Sequence, residues 1–91
     1  MLRLNCFFQA KEGQYNRALD AAIALVGKSQ KHAGCISYDV FESATRPDVF
    51  CFIETWADQA SLDAHSKTPE FIENVGVINE CGEMKIEVLE K

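Results

Sequence analysis

Paired cysteines, a basic surface and a long apolar run are all missing from this sequence, and each absence removes a class of function. The four cysteines, Cys6, Cys35, Cys51 and Cys81, form no C-x-x-C pair. Structural zinc needs ligands paired at short spacing, so no metal site is expected, and cysteines set in strand-like apolar runs behave as small hydrophobes. No glycine-rich loop of the kind that cradles phosphates is present, so no cofactor is expected either. Nine basic residues against fourteen acidic ones leave a net charge of −5. The acidic residues are scattered and no basic patch forms, which argues against nucleic acid or an anionic membrane as a partner. No stretch approaches the roughly 18 apolar residues of a membrane-spanning helix. The N-terminus lacks a basic segment followed by an apolar one, so a cytoplasmic protein is expected.

What remains is a chain of 91 residues without repeats, linkers or low-complexity segments, expected to form a single domain over residues 1–91. A domain of this size buries only about 60–65% of the surface its unfolded chain exposes, so its own core is marginal. Met1 to Gln9 alternates, with Leu2, Leu4, Cys6 and Phe8 on one face and Arg3, Asn5, Phe7 and Gln9 on the other, which predicts a strand. From about Gln14 to His32, Tyr15, Leu19, Ala22, Ile23 and Val26 recur at helical spacing. Lys28, Lys31 and His32 crowd the last turn, where positive charge suits the end of the helix dipole, so His32 needs no further role. Gly34 follows as the stop.

Cys35 to Glu42 reads as a second strand, with Ile36, Tyr38 and Val40 on one face. Residues 43–48 are rich in turn formers and short enough for an antiparallel hairpin into a third strand, Val49 to Trp56. After Thr68-Pro69 a further helix carries Phe71, Val75 and Ile78 on one face and stops at Gly82. Met84 to Leu89 alternates as a fourth strand. The order is β-α-β-β-α-β, the ferredoxin-like α+β arrangement of an antiparallel sheet with its helices on one face. Such a sheet should be polar on its uncovered side. Strand three instead carries Phe50, Phe52 and Trp56 on one side and Val49, Cys51 and Ile53 on the other. Apolar residues on both sides predict a homodimer, two sheets packed face to face.

The chain is organised around residues 52–65. Phe52, Glu54 and Trp56 share a strand face, Asp58 reads as a helix N-cap, and Leu62 and His65 share a face of the helix that follows. If that helix folds back over its own strand, His65 meets Glu54 and Trp56 inside a small domain, where unpaired polarity is expensive.

Three segments together resemble the antibiotic biosynthesis monooxygenase family of small dimeric α+β barrel proteins: Gly34-Cys35-Ile36-Ser37-Tyr38, Phe52-Ile53-Glu54-Thr55-Trp56, and Ala60-Ser61-Leu62-Asp63-Ala64-His65 with Thr68-Pro69 and Phe71 behind it. The resemblance implies a monooxygenase that oxidises a small aromatic, quinol-type substrate with dioxygen and uses neither metal nor flavin. It implies a pocket between sheet and helices, lined by Asn5, Tyr38, Glu54, Trp56, His65 and Phe71. In that pocket His65 titrates in the range of a general base. Asn5 would hydrogen-bond a carbonyl or oxyanion, and Trp56 and Phe71 would offer ring faces. Tyr38 and Glu54 would complete the substrate-binding wall, although each has a purely structural reading, as a core tyrosine and as a buried acid that orients His65. Haem-degrading relatives carry an axial histidine where this chain aligns Val75, which disfavours haem. Two alternatives stay open. One is an isomerase like that acting on a phosphorylated autoinducer, for which Lys67 is the nearest cation; the other is a non-catalytic dimer that binds a small molecule. An Asn5 that points away from His65, with the interior filled by aromatic rings, would favour the binding reading.

Overall fold

The computed structural model describes residues 1–90 and contains the elements β1 (Leu2–Ala10), α1 (Tyr15–Ser29), β2 (Cys35–Glu42), β3 (Val49–Trp56), α2 (Gln59–Ser66), α3 (Pro69–Cys81) and β4 (Gly82–Glu90). The ferredoxin-like order is therefore present, with its second helical segment divided in two at the Thr68-Pro69 step. The four strands form one antiparallel sheet in the order β2-β3-β1-β4. No helix among the described residues is long and apolar enough to cross a membrane.

Directly paired residues of an antiparallel sheet share a face. Leu2, Leu4, Cys6 and Phe8 of β1 lie opposite Trp56, Glu54, Phe52 and Phe50 of β3. All eight are buried, and with Ala18, Ala22 and Leu25 of α1 and Ile78 of α3 they form the core beneath the helices. The other face carries cross-strand rows such as Phe41–Cys51–Phe7–Lys85 and Asp39–Ile53–Asn5–Glu87. Phe41 is 50% exposed and Phe7 41% exposed there. The uncovered face is thus a mixture of apolar and charged side chains, as the apolar residues on both sides of β3 require.

Three local readings need correction. On α1, Ala22 is buried and Tyr15, Leu19 and Val26 pack against the core, but Ile23 points to solvent and Ala18, Ala21, Leu25 and Ser29 complete the buried line. In β2 the pairing is irregular between Cys35 and Ser37. An extra residue in one strand reverses the facing of what precedes it. Ile36 is therefore exposed, Cys35 comes opposite Trp56, and Tyr38 and Val40 keep the helix-covered side. Finally, α1 ends at Ser29, and Lys31 and His32 continue as a turn whose amides bond to the carbonyls of Lys28 and Ser29.

That turn leads to Gly34, whose φ of +80° places it in the left-handed region. Its carbonyl accepts from the Ala57 amide at 2.8 Å, which docks the turn on the start of α2. A Cβ at position 34 would collide with the Cβ and Oγ of Ser61. Glycine is required here on two counts, backbone conformation and space. Gly34→Ala should therefore lower stability by about 2–4 kcal/mol. In denaturant titrations Ser61→Gly in the same background should recover the steric share and leave the conformational one. Wild-type stability in Gly34→Ala would contradict this placement.

Candidate active site

The site is assembled by two short helix starts. Asp58 caps α2, its carboxylate accepting from the Ser61 amide at 2.8 Å. The helix then runs two turns and brings His65 over β3. Thr68 closes it: its hydroxyl donates to the His65 carbonyl at 2.8 Å and accepts from the Phe71 amide at 3.3 Å, with Pro69 opening α3. This reciprocal use of one hydroxyl fixes the angle between α2 and α3, and with it the relation of His65 to Phe71 and Glu70.

His65 is 2% exposed. Its ring lies over the Trp56 indole with centroids 4.5 Å apart and planes at 38°, while Phe71 meets it edge-on at 4.9 Å and Tyr38 stands at 5.5 Å. Four of the six residues named from the sequence thus come together: Tyr38, Trp56, His65 and Phe71. Glu54 is adjacent but turned to the indole rather than to the imidazole. It accepts from Trp56 Nε1 at 2.8 Å and from the Cys6 thiol at 3.7 Å. It therefore orients His65 only through the tryptophan. Burial raises the Glu54 carboxyl above its ordinary range, and the hydrogen bonds from Trp56 and Cys6 oppose that rise. Burial, followed by the Glu54 charge, likewise pushes the Tyr38 phenol upward, which keeps it neutral.

Asn5 is not brought to this cluster. It pairs with Ile53 and Glu87 on the uncovered face, whereas Leu4 and Cys6 beside it face the helices. The reason is the two-residue period of a strand: Asn5 and Glu54 are one step out of phase across β1 and β3, so the sheet itself separates Asn5 from His65.

His32 and Glu70 join the site instead. His32 Nδ1 lies 2.8 Å from His65 Nδ1, and His32 Nε2 lies 3.4 Å from Glu70 Oε2. The sequence reading assigned His32 to the end of α1; because the helix stops a turn earlier, the side chain swings toward α2. The signal available in the sequence was the Gly34 turn, which must reverse the chain close to the start of β2. At the far side of His65, Nε2 is buried and has no hydrogen-bond partner among the described residues. Such an atom is uncommon in a native interior and calls for an explanation, as do Arg3 Nε, Ser29 Oγ and Thr55 Oγ1, which share the property. Burial, then the neighbouring His32 charge, lowers the His65 pKa from 6.5 to about 4, with Glu70 acting weakly in the opposite direction. Among the described residues no cluster of three or more His, Cys, Asp or Glu side chains is placed to hold a metal ion.

The family model for antibiotic biosynthesis monooxygenase matches residues 1–75. A Bacillus subtilis protein named "Putative monooxygenase YcnE" is 30% identical over 71 residues, covering 78% of this chain and 75% of that one. An uncharacterized protein of Synechocystis sp. is 45% identical over 47 residues, and the match spans 52% of this chain but only 32% of that relative. Among solved structures, a Bacteroides thetaiotaomicron protein of unknown function, described as a possible oxidoreductase, is 47% identical with a TM-score of 0.96. That match covers 99% of this chain and 96% of the other.

The lowered His65 pKa has a consequence for stability. Between about 4 and 6.5 the unfolded chain binds a proton at this residue that the folded protein does not. Stability should therefore rise with pH across that window, by at most about 3 kcal/mol from this residue, and be indifferent to it above. Comparing denaturant unfolding of wild type and His65→Ala across the window isolates the effect, and the variant should show the flatter profile. Parallel profiles would mean that His65 is not held neutral by the fold.

Proposed function

The chain belongs to the antibiotic biosynthesis monooxygenase family, and on that premise we propose that it oxidises a small phenolic or quinol-type aromatic with dioxygen, without metal or flavin, as a homodimer. The observation that carries the reading is the bare Nε2 of His65, buried among the ring faces of Trp56, Phe71 and Tyr38. A flat aromatic could be held against such faces, and its hydroxyl would find an unpartnered ring nitrogen beside them. Removing the hydroxyl proton makes the ring electron-rich enough to reduce oxygen directly. For a substrate with a reactive methylene, dioxygen adds at that carbon and water departs, so that one oxygen atom ends in a carbonyl and the other in water.

The non-catalytic binding reading keeps support from one observation: Asn5 faces away, leaving His65 surrounded mostly by aromatic side chains. For the isomerase, the candidate cation Lys67 is exposed at the end of α2. The homodimer rests on the uncovered sheet face, where Phe7, Phe41 and Leu89 are exposed. Their burial against a second copy would remove an apolar surface that a monomer would present to water.

Oxygen uptake over a panel of quinols and anthrone-like phenols, in chelator and without added cofactor, tests the activity. His65→Ala should lower turnover about 10²–10⁴-fold, while substrate affinity changes far less because ring stacking remains. Uptake that is absent in wild type, with binding of the same aromatics retained, would favour the binding dimer. In sedimentation at micromolar concentration the chain should run as a dimer burying at least about 1,200 Å²; a monomer would contradict the face-to-face arrangement.

A further inference from the structure

A buried imidazole held neutral is a poor final resting place for a phenolic proton, because the cation it would become is the species that burial disfavours. The neighbours of His65 supply a way around this. The titratable or charged groups set against it are His32 from the turn after α1, Glu70 from α3 and Tyr38 from β2, while Glu54 on β3 engages Trp56.

Two imidazole nitrogens at 2.8 Å cannot both present lone pairs, so one proton lies between the Nδ1 atoms. Which ring owns it is decided from the outside. Glu70 is held ionised by its own backbone amide and by His32, which lower its pKa. A carboxylate only accepts, so His32 Nε2 must carry hydrogen. A neutral His32 that is protonated at Nε2 has a lone pair at Nδ1. His65 then donates its Nδ1–H, and its Nε2 is left bare. Two residues, Glu70 on α3 and His32 in the turn after α1, thus specify the tautomer of the buried ring on α2.

We propose that Glu70 and His32 are positioning residues that hold His65 in its Nδ1–H tautomer and carry the substrate proton outward. In this step the substrate hydroxyl gives its proton to His65 Nε2, and His65 Nδ1–H passes to His32 Nδ1. His65 ends neutral, protonated at Nε2. The positive charge comes to rest on His32, which keeps its Nε2–H against Glu70. The side chains of His32 and Glu70 are 15% and 33% exposed, so the charge reaches the wet edge of the domain and can be lost to solvent. The buried ring transmits a proton without holding a charge. Protonation of His32 beforehand closes the route, since His65 must then accept at Nδ1 and keep Nε2–H.

This assignment of the proton path rests on the proposed oxidation, but its test does not. Nitrogen–proton correlation spectra of the histidine rings separate protonated from bare ring nitrogens in the ligand-free protein. At mildly alkaline pH, His65 should be in the Nδ1–H form by about tenfold or more, the reverse of the preference of free histidine. Glu70→Lys places a donor where the acceptor was, at a partly exposed position that tolerates the change. It should reverse both rings and give His65 Nε2–H. Wild-type His65 in the Nε2–H form, or a tautomer indifferent to Glu70→Lys, would overturn the relay. A correct tautomer in a protein that consumes no oxygen with any aromatic offered would leave the relay standing and refute the oxidation.

Discussion

Two histidine nitrogens 2.8 Å apart, one ring buried and the other partly exposed, are the constraint on which the rest of this structure turns. The contact exists only if one ring donates and the other accepts, and it is reached from two distant parts of the chain, 33 residues apart. Each end is held by local chemistry. On one side α1 stops at Ser29, Gly34 adopts a conformation that side chains avoid, and the carbonyl of Gly34 is tied to Ala57. On the other side Asp58 begins α2 and Thr68 ends it. The caps are individually worth about 1 kcal/mol. Their importance lies in direction: together they decide that His65 faces the sheet and that His32 and Glu70 stand behind it.

Beneath this pair the sheet supplies a second buried polar group. Glu54 sits opposite Leu4 in the core, where an unpaired carboxylate would be prohibitively costly, and it is satisfied by the Trp56 indole and the Cys6 thiol. The effect is to fix the plane of the indole on which His65 lies. A two-layer domain of this size has little apolar volume to spare. That it devotes its centre to a carboxyl, a phenol and an imidazole, with one imidazole nitrogen unpaired, is the pattern expected where stability has been given up for a site. The same limitation bears on the uncovered sheet face, whose apolar residues have no layer of their own chain to meet.

Much of this was legible in the sequence. The period-two runs placed the four strands, Asp58 and Thr68-Pro69 placed the helix starts, and the apolar residues on both faces of β3 were plain from their alternation. His65 over Trp56 followed from Leu62 and His65 sharing one helix face. Less was legible where a single residue changed phase. The irregularity between Cys35 and Ser37 turned Ile36 outward, which no alternation pattern reports. Asn5 was drawn into the site by resemblance, although the alternation of β1 already put it on the face opposite Leu4 and Cys6; physical phase outweighs analogy there. His32 was assigned to a helix dipole because Lys28 and Lys31 precede it, and its true role depended on where α1 ends, the least predictable feature of any helix.

The central claim is that His65 occupies the interior for what its free Nε2 can do and not for what it contributes to folding. The measurement that bears on this most directly is the unfolding free energy of His65→Leu at neutral pH. Leucine is close in volume, apolar and favourable in a helix, and His32 retains access to water. If Nε2 is an unsatisfied polar atom tolerated for function, the variant should be at least as stable as wild type, since an unpaired buried polar atom costs about 1–3 kcal/mol. A loss of more than about 2 kcal/mol would show the histidine to be a structural hydrogen bonder whose link to His32 holds the fold together, and would contradict the account.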